Sequence, residues 1–90
     1  MSKPTIAEAY TEIAKYQAKI SSTKTVIDSL LMGISEVYKK GCYNQLSNFA
    51  HELSQQAENI YNYERYIGHV KDYISRELEN SNDKIIITQL

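Results

Sequence analysis

Apolar residues recur at alternating steps of three and four along almost the entire chain, and this pattern leaves few folds open. The first row is Ile6, Ala9, Ile13, Tyr16, Ile20, Thr23, Ile27, Leu30, Ile34 and Val37. The second is Leu46, Phe49, Leu53, Gln56, Ile60, Tyr63, Ile67, Val70 and Ile74, with Leu78 extending the face where Glu77 drops out. Such spacing keeps one stripe of an α-helix facing a partner over many turns. Between the rows lie Lys39 and Lys40, cations suited to a helix C-terminus, and Gly41, suited to a left-handed cap. Thr5 and Glu8 have capping-box spacing, and Asn44 can cap the second helix. The pattern predicts helices over 5–40 and 44–80 joined by a turn at Cys42-Tyr43. A helix of about 35 residues is roughly 53 Å long, and two such helices on a short turn must lie antiparallel. Val37 then falls near Leu46, Leu30 near Leu53, Gly33 near Ala50 and Ile20 near Tyr63.

Two segments leave the reading open. Ser21-Ser22-Thr23-Lys24-Thr25 is rich in residues that compete for backbone hydrogen bonds. It either breaks the first helix near 21–25, making a short N-terminal helix, or stays within it, as the unbroken heptad phase suggests. Residues 84–90, Lys84-Ile85-Ile86-Ile87-Thr88-Gln89-Leu90, put three β-branched residues in a row behind the polar group Asn80-Ser81-Asn82-Asp83. This reads as a strand-like tail outside a helical domain of residues 1–83: either a frayed end folding back, or an arm that docks elsewhere.

The chain of 90 residues makes one domain and buries a modest core, so it needs a staple, a partner or very regular packing. Cys42 is the only cysteine, which excludes an internal disulfide and suits a reducing compartment. His51 and His69 are the only histidines and stand far apart, so no metal is expected. Ten Lys+Arg against eleven Asp+Glu give no basic field for duplex nucleic acid. No apolar run is long enough to span a membrane, and no apolar signal core follows Met1-Ser2-Lys3-Pro4-Thr5. The expected location is the cytoplasm, that of a host cell if the protein is viral. No phosphate loop, CxxC or nucleophile motif is present, and long helical hairpins lack the strand-end loops where catalytic groups gather. No catalytic residues, metal or cofactor are therefore assigned, and the chain is not expected to be an enzyme.

The apolar surface is wider than one seam. Tyr10, Leu31 and Tyr38 stand beside the first row at heptad spacing, with Gln17 and Lys24 between them. Tyr66 and Tyr73 flank the second row on one side, and Ala50, Ala57 and Leu78 on the other. A stripe this wide calls for more helices than one hairpin holds. The expected fold is all-α, a hairpin assembled into a helical-bundle homo-oligomer, most simply a dimer.

Eight tyrosines against one phenylalanine and no tryptophan supply aromatic faces with polar tips. Cations lie near several of them: Lys24 in heptad phase with Tyr10, Arg65 beside Tyr66, Lys71 and Arg76 around Tyr73. Aromatic faces stack on bases, while Lys and Arg neutralise phosphates. The organisation resembles small phage proteins that block host immune signalling, the anti-CBASS cyclic-dinucleotide sponges. That family implies a short N-terminal helix, two long antiparallel helices, symmetric oligomers, and a ligand held between subunits by an N-terminal tyrosine and a later lysine. Tyr10 and Lys24 match those two residue types. The Gly-Tyr-Arg start before the first helix and the family's C-terminal motif are absent.

The leading functional expectation is a non-catalytic sponge binding a cyclic oligonucleotide between subunits, through Tyr10, Lys24, Tyr66, Tyr73 and Arg76. The alternative is a protein-interaction module, such as an inhibitor, immunity protein or adaptor, docking on a protein target by a tyrosine-rich face. If the tail is an arm, deleting residues 84–90 lowers the mass measured by light scattering at fixed concentration, whereas an unchanged mass excludes that role.

Overall fold

The structure, a computed structural model, describes the backbone of residues 3–89 and the side chains of residues 3–80. Two helices account for nearly all of it: α1, Ile6–Lys40, and α2, Tyr43–Gln89. They lie antiparallel as a hairpin of 73 × 25 × 15 Å.

α1 begins as its sequence dictates. The Glu8 amide donates to Thr5 Oγ1 at 3.1 Å, and the Thr5 amide donates to Glu8 Oε1 at 3.2 Å. This reciprocal pair satisfies two amides that the first turn would otherwise leave unbonded. The helix then runs unbroken through 21–25, so no separate N-terminal helix forms. The hydroxyls that compete for backbone bonds are satisfied inside the helix instead. Thr23 Oγ1 donates to the Lys19 carbonyl at 2.8 Å and Thr25 Oγ1 to that of Ser21 at 3.3 Å.

The turn closes with Gly41 at φ 73°, the left-handed conformation that a side chain disfavours. Its amide donates to the Tyr38 carbonyl at 3.1 Å, and that of Cys42 to the Val37 carbonyl at 3.0 Å, the double bond of a Schellman cap. Tyr43 is already helical, and the Leu46 amide reaches back to the Cys42 carbonyl at 3.0 Å. Asn44 therefore sits in the first turn of α2 and not at its cap.

α2 does not stop near Asn80. Its backbone stays helical to Gln89, through the segment read from its isoleucines as strand-like. No glycine or proline interrupts residues 81–89, and β-branched residues lower helix propensity only by tenths of a kcal/mol each. The side chains of 84–90 lie outside the described residues.

Packing follows the two rows closely. Every residue of both rows, from Ile6 to Val37 and from Leu46 to Ile74, is buried or half-buried. The exception is the extension: Glu77 stays on the seam, its carboxylate 3.8 Å from the exposed Lys3 ammonium, while Leu78 points out at 43% exposure. The core is thin. Its buried centre is Ala9, Ile13, Ile67 and Ile74, ringed by Ile6, Tyr16, Ile20, Val70 and Tyr73. Near the turn only Val37 is buried, and the middle of the seam carries the polar side chains of Thr23, Gln56 and Asn59. Gly33 meets the Phe49 ring rather than Ala50. A Cβ there would lie 2.9 Å from Phe49 Cε1, so the bare glycine lets the ring lie across α1.

The glycines separate backbone need from propensity. Gly41→Ala forces a side chain into the left-handed region and costs about 1–2 kcal/mol. At Gly68, where a Cβ meets no atom within 4 Å, the same change within a helix gains about 0.5–1 kcal/mol. Urea unfolding should move the two midpoints in opposite directions.

Candidate functional site

The hairpin has two lateral faces, one on each side of the seam, and they differ in chemistry. The first is formed where α1 begins. Tyr66 and Tyr73 lean from α2 over the N-terminal turns of α1 and line an open groove of about 580 Å³ with Pro4, Ala7, Glu12 and His69. Both hydroxyls are engaged. Tyr66 donates to Glu12 Oε1 at 3.1 Å, and Tyr73 donates to the Pro4 carbonyl at 2.6 Å. The Tyr66 ring lies 4.5 Å from that of Tyr16, which in turn meets Tyr63 edge-on at 5.6 Å. Lys19 sits over Tyr16 at 4.6 Å and over Tyr63 at 5.8 Å.

This is a tyrosine cluster that fastens one end of the hairpin. Partial burial raises the Tyr66 hydroxyl above the ordinary tyrosine range, and the hydrogen bond and negative charge of Glu12 push it further, with a smaller contribution from Tyr16. With Glu8 and Glu12 on its wall, the groove presents carboxylates to any occupant. A phosphate would meet repulsion there, whereas a cationic or neutral apolar group would not.

The opposite face carries a groove of about 570 Å³ lined by Tyr10, Ala14, Gln17, Lys71, Ser75 and Leu78. A smaller depression of about 340 Å³ continues it with Ile20, Glu64 and Gly68. Heptad spacing extends the face toward the turn through Lys24, Leu31 and Tyr38 on α1, and through Ala57 and Ala50 on α2. Its large apolar members are open to solvent: Tyr10 55%, Leu31 49%, Tyr38 64% and Leu78 43%. Among the described residues, no side-chain hydrogen bond, ion pair or aromatic contact engages Tyr10, Lys24, Tyr38, Glu64 or Lys71.

The five residues expected to hold a ligand are thus divided within one chain. Tyr66 and Tyr73 share the acidic groove. Tyr10 lies across the seam with Lys71. Lys24 is on Tyr10's face but fourteen residues along α1, roughly 21 Å away. Arg76 is exposed and lines none of these grooves. Arg65 stacks on Tyr61, at 5.8 Å, one turn back on its own helix, rather than on Tyr66. Sequence reasoning passed over Lys19 and over Glu12 as a partner of Tyr66. Lys19 was findable from its i+3 spacing to Tyr16. The Glu12–Tyr66 bond depends on the register of the hairpin, which heptads alone set only to within a turn. No group of three or more His, Cys, Asp or Glu side chains placed to hold a metal occurs among the described residues. Nor, among them, is any helix long and apolar enough to cross a membrane.

In an alkaline absorbance titration Tyr66 should ionise above the ordinary tyrosine range, and Glu12→Gln should lower its pKa toward the ordinary value. Because the folded state holds this proton more tightly, the associated stability is intact below about pH 10 and is lost as pH rises through the folded pKa. A Tyr66 titration unchanged by Glu12→Gln would contradict the assigned cause.

Comparison with known proteins returns no matching family model, curated protein or solved structure.

Proposed function

We propose that this protein is a non-catalytic binding module that works as a homo-oligomer, packing the Tyr10–Leu31–Tyr38–Leu78 face against another helical surface. One observation carries the reading. Four large apolar side chains stand exposed along one lateral face, at heptad spacing, while the tyrosine hydroxyls on the other face are already bonded within the chain. Large apolar residues gathered on one face mark an interaction surface more than ones scattered singly do. The single thiol Cys42 suits a reducing cytoplasm, of a host cell if the protein is viral. Grooves this open, with no convergent nucleophile and base, suit binding rather than catalysis.

A second reading, a cyclic-oligonucleotide sponge of phage type, is favoured by one feature: Tyr10, Gln17 and Lys71 share a groove, giving a stacking ring, an amide and a cation. That reading moves the ligand away from Tyr66 and Tyr73, whose groove is acidic, and onto the Tyr10 face. Lys24 and Arg76 would join only across a subunit junction.

Two measurements separate the readings. Leu31→Glu places a charge on the packing face and should lower the association constant at least about tenfold with α-helical content unchanged. An unchanged constant would sink the packing-face proposal. Thermal shift against a panel of cyclic di- and trinucleotides should give no stabilisation if the protein-binding reading holds. A rise of several degrees with one ligand, abolished by Tyr10→Ala, would establish the sponge instead.

A further inference from the structure

We propose that the groove between Tyr66 and Tyr73 is a binding site for a small aliphatic amine, held as its ammonium ion. The site lies across the seam from the packing face, so it stands whether or not the chain self-associates there. Size, charge balance and the lining rings together define the occupant.

The groove holds about 580 Å³, within the roughly 300–1,000 Å³ of small-molecule clefts. Pro4, Ala7, Val70 and the two tyrosines give apolar cover for a hydrocarbon chain. The charged groups on the wall are of one sign. Glu8 and Glu12 line the groove, and no lysine or arginine does. Lys3, next to Pro4, lies 3.8 Å from Glu77 instead. Each wall carboxylate has one oxygen committed within the chain: Glu8 Oε1 accepts from the Thr5 amide, and Glu12 Oε1 accepts from the Tyr66 hydroxyl. Among the described residues, no hydrogen bond or ion pair engages the Oε2 atom of either. The N-terminal end of α1 opposes a cation, but it amounts to roughly half an elementary charge. Two full carboxylate charges outweigh it, so the local field favours an ammonium group.

The rings act in the same direction. Tyrosine faces attract ammonium ions, and this cluster already holds one from its own chain. Lys19 sits 4.6 Å from the centre of the Tyr16 ring, and that ring lies 4.5 Å from Tyr66. The Tyr66 and Tyr73 hydroxyls are both bonded to α1 or its leading residues, which holds the two rings in place before any ligand arrives. Glu8 and Glu12 stand one helical turn apart on the same face, with β-carbons about 5–6 Å apart. A short diamine therefore meets both carboxylates, whereas a monoamine meets one.

An NMR titration of the isotope-labelled full chain with n-butylamine, putrescine and butyrate tests the site. Both amines should shift the backbone amides of Ala7, Glu12, His69 and Val70 and leave those of Leu31 and Ala50 unmoved. The dissociation constant should be on the order of a millimolar, as suits a ligand of few atoms in an open groove. Putrescine should bind at least about threefold tighter than butylamine, and butyrate should shift nothing there. Glu8→Gln with Glu12→Gln removes both charges while keeping an acceptor for the Thr5 amide and for the Tyr66 hydroxyl, so the helical content should be unchanged. This double variant should weaken putrescine at least about fivefold. Equal shifts with butylamine and butyrate, shifts spread along the whole hairpin, no shifts in the groove, or an unchanged putrescine affinity in the double variant would each overturn the site.

Discussion

Each helix of this hairpin offers its partner a single stripe, and that limit governs the rest of the structure. A heptad seam brings two residues in seven into contact across the pair. Here the stripe is closely followed, from Ile6 to Val37 and from Leu46 to Ile74, yet among the described residues only Ala9, Ile13, Val37, Ile67 and Ile74 become buried. A pair of rods has no inside. Side chains one position beyond the seam stay in water unless something else covers them, and on one lateral face those side chains are Tyr10, Leu31, Tyr38 and Leu78.

The two lateral faces handle that limit differently. Where α1 begins, tyrosines close the gap from within. Tyr66 and Tyr73 lay their rings over the first turns of α1 and bond to Glu12 and the Pro4 carbonyl, with Tyr16 against Tyr66 and Lys19 over the Tyr16 and Tyr63 rings. Tyrosine suits this work because a half-exposed ring needs a polar tip that can reach water or a neighbour. The opposite face has large apolar residues toward its ends, small ones between the helices, and Gln17, Lys24, Glu64 and Lys71 in its middle. Polar residues at the centre of an apolar face cost stability but favour one register of pairing over others. The first face helps hold the hairpin together, and the second is left uncovered within one chain.

Much of the fold could be read directly from residue spacing. The seam, the Thr5–Glu8 box and the Gly41 cap are local patterns with local causes, and they occur where spacing placed them. The unbroken first helix was less legible, because Thr23 and Thr25 can either cap a new helix or bond back to the preceding turn, and only the backbone decides. The extent of α2 past Asn80 was hidden for a related reason: polar residues permit a helix end without compelling one. The site was legible only as a collection of residue types. Tyrosine and lysine content suggested a ligand, but which tyrosines face which charges depends on the side of the seam and on register. Those two factors put Tyr66 and Tyr73 beside carboxylates and left Tyr10 with Lys71.

The central claim is that the uncovered face makes one copy incomplete without another. Light scattering combined with thermal unfolding over a wide dilution series tests it most directly. The account predicts a mass that is a multiple of 10.4 kDa and a melting temperature that falls on dilution, since association stabilises the folded chain by mass action. A sharp, concentration-independent melt at a mass of 10.4 kDa would contradict it.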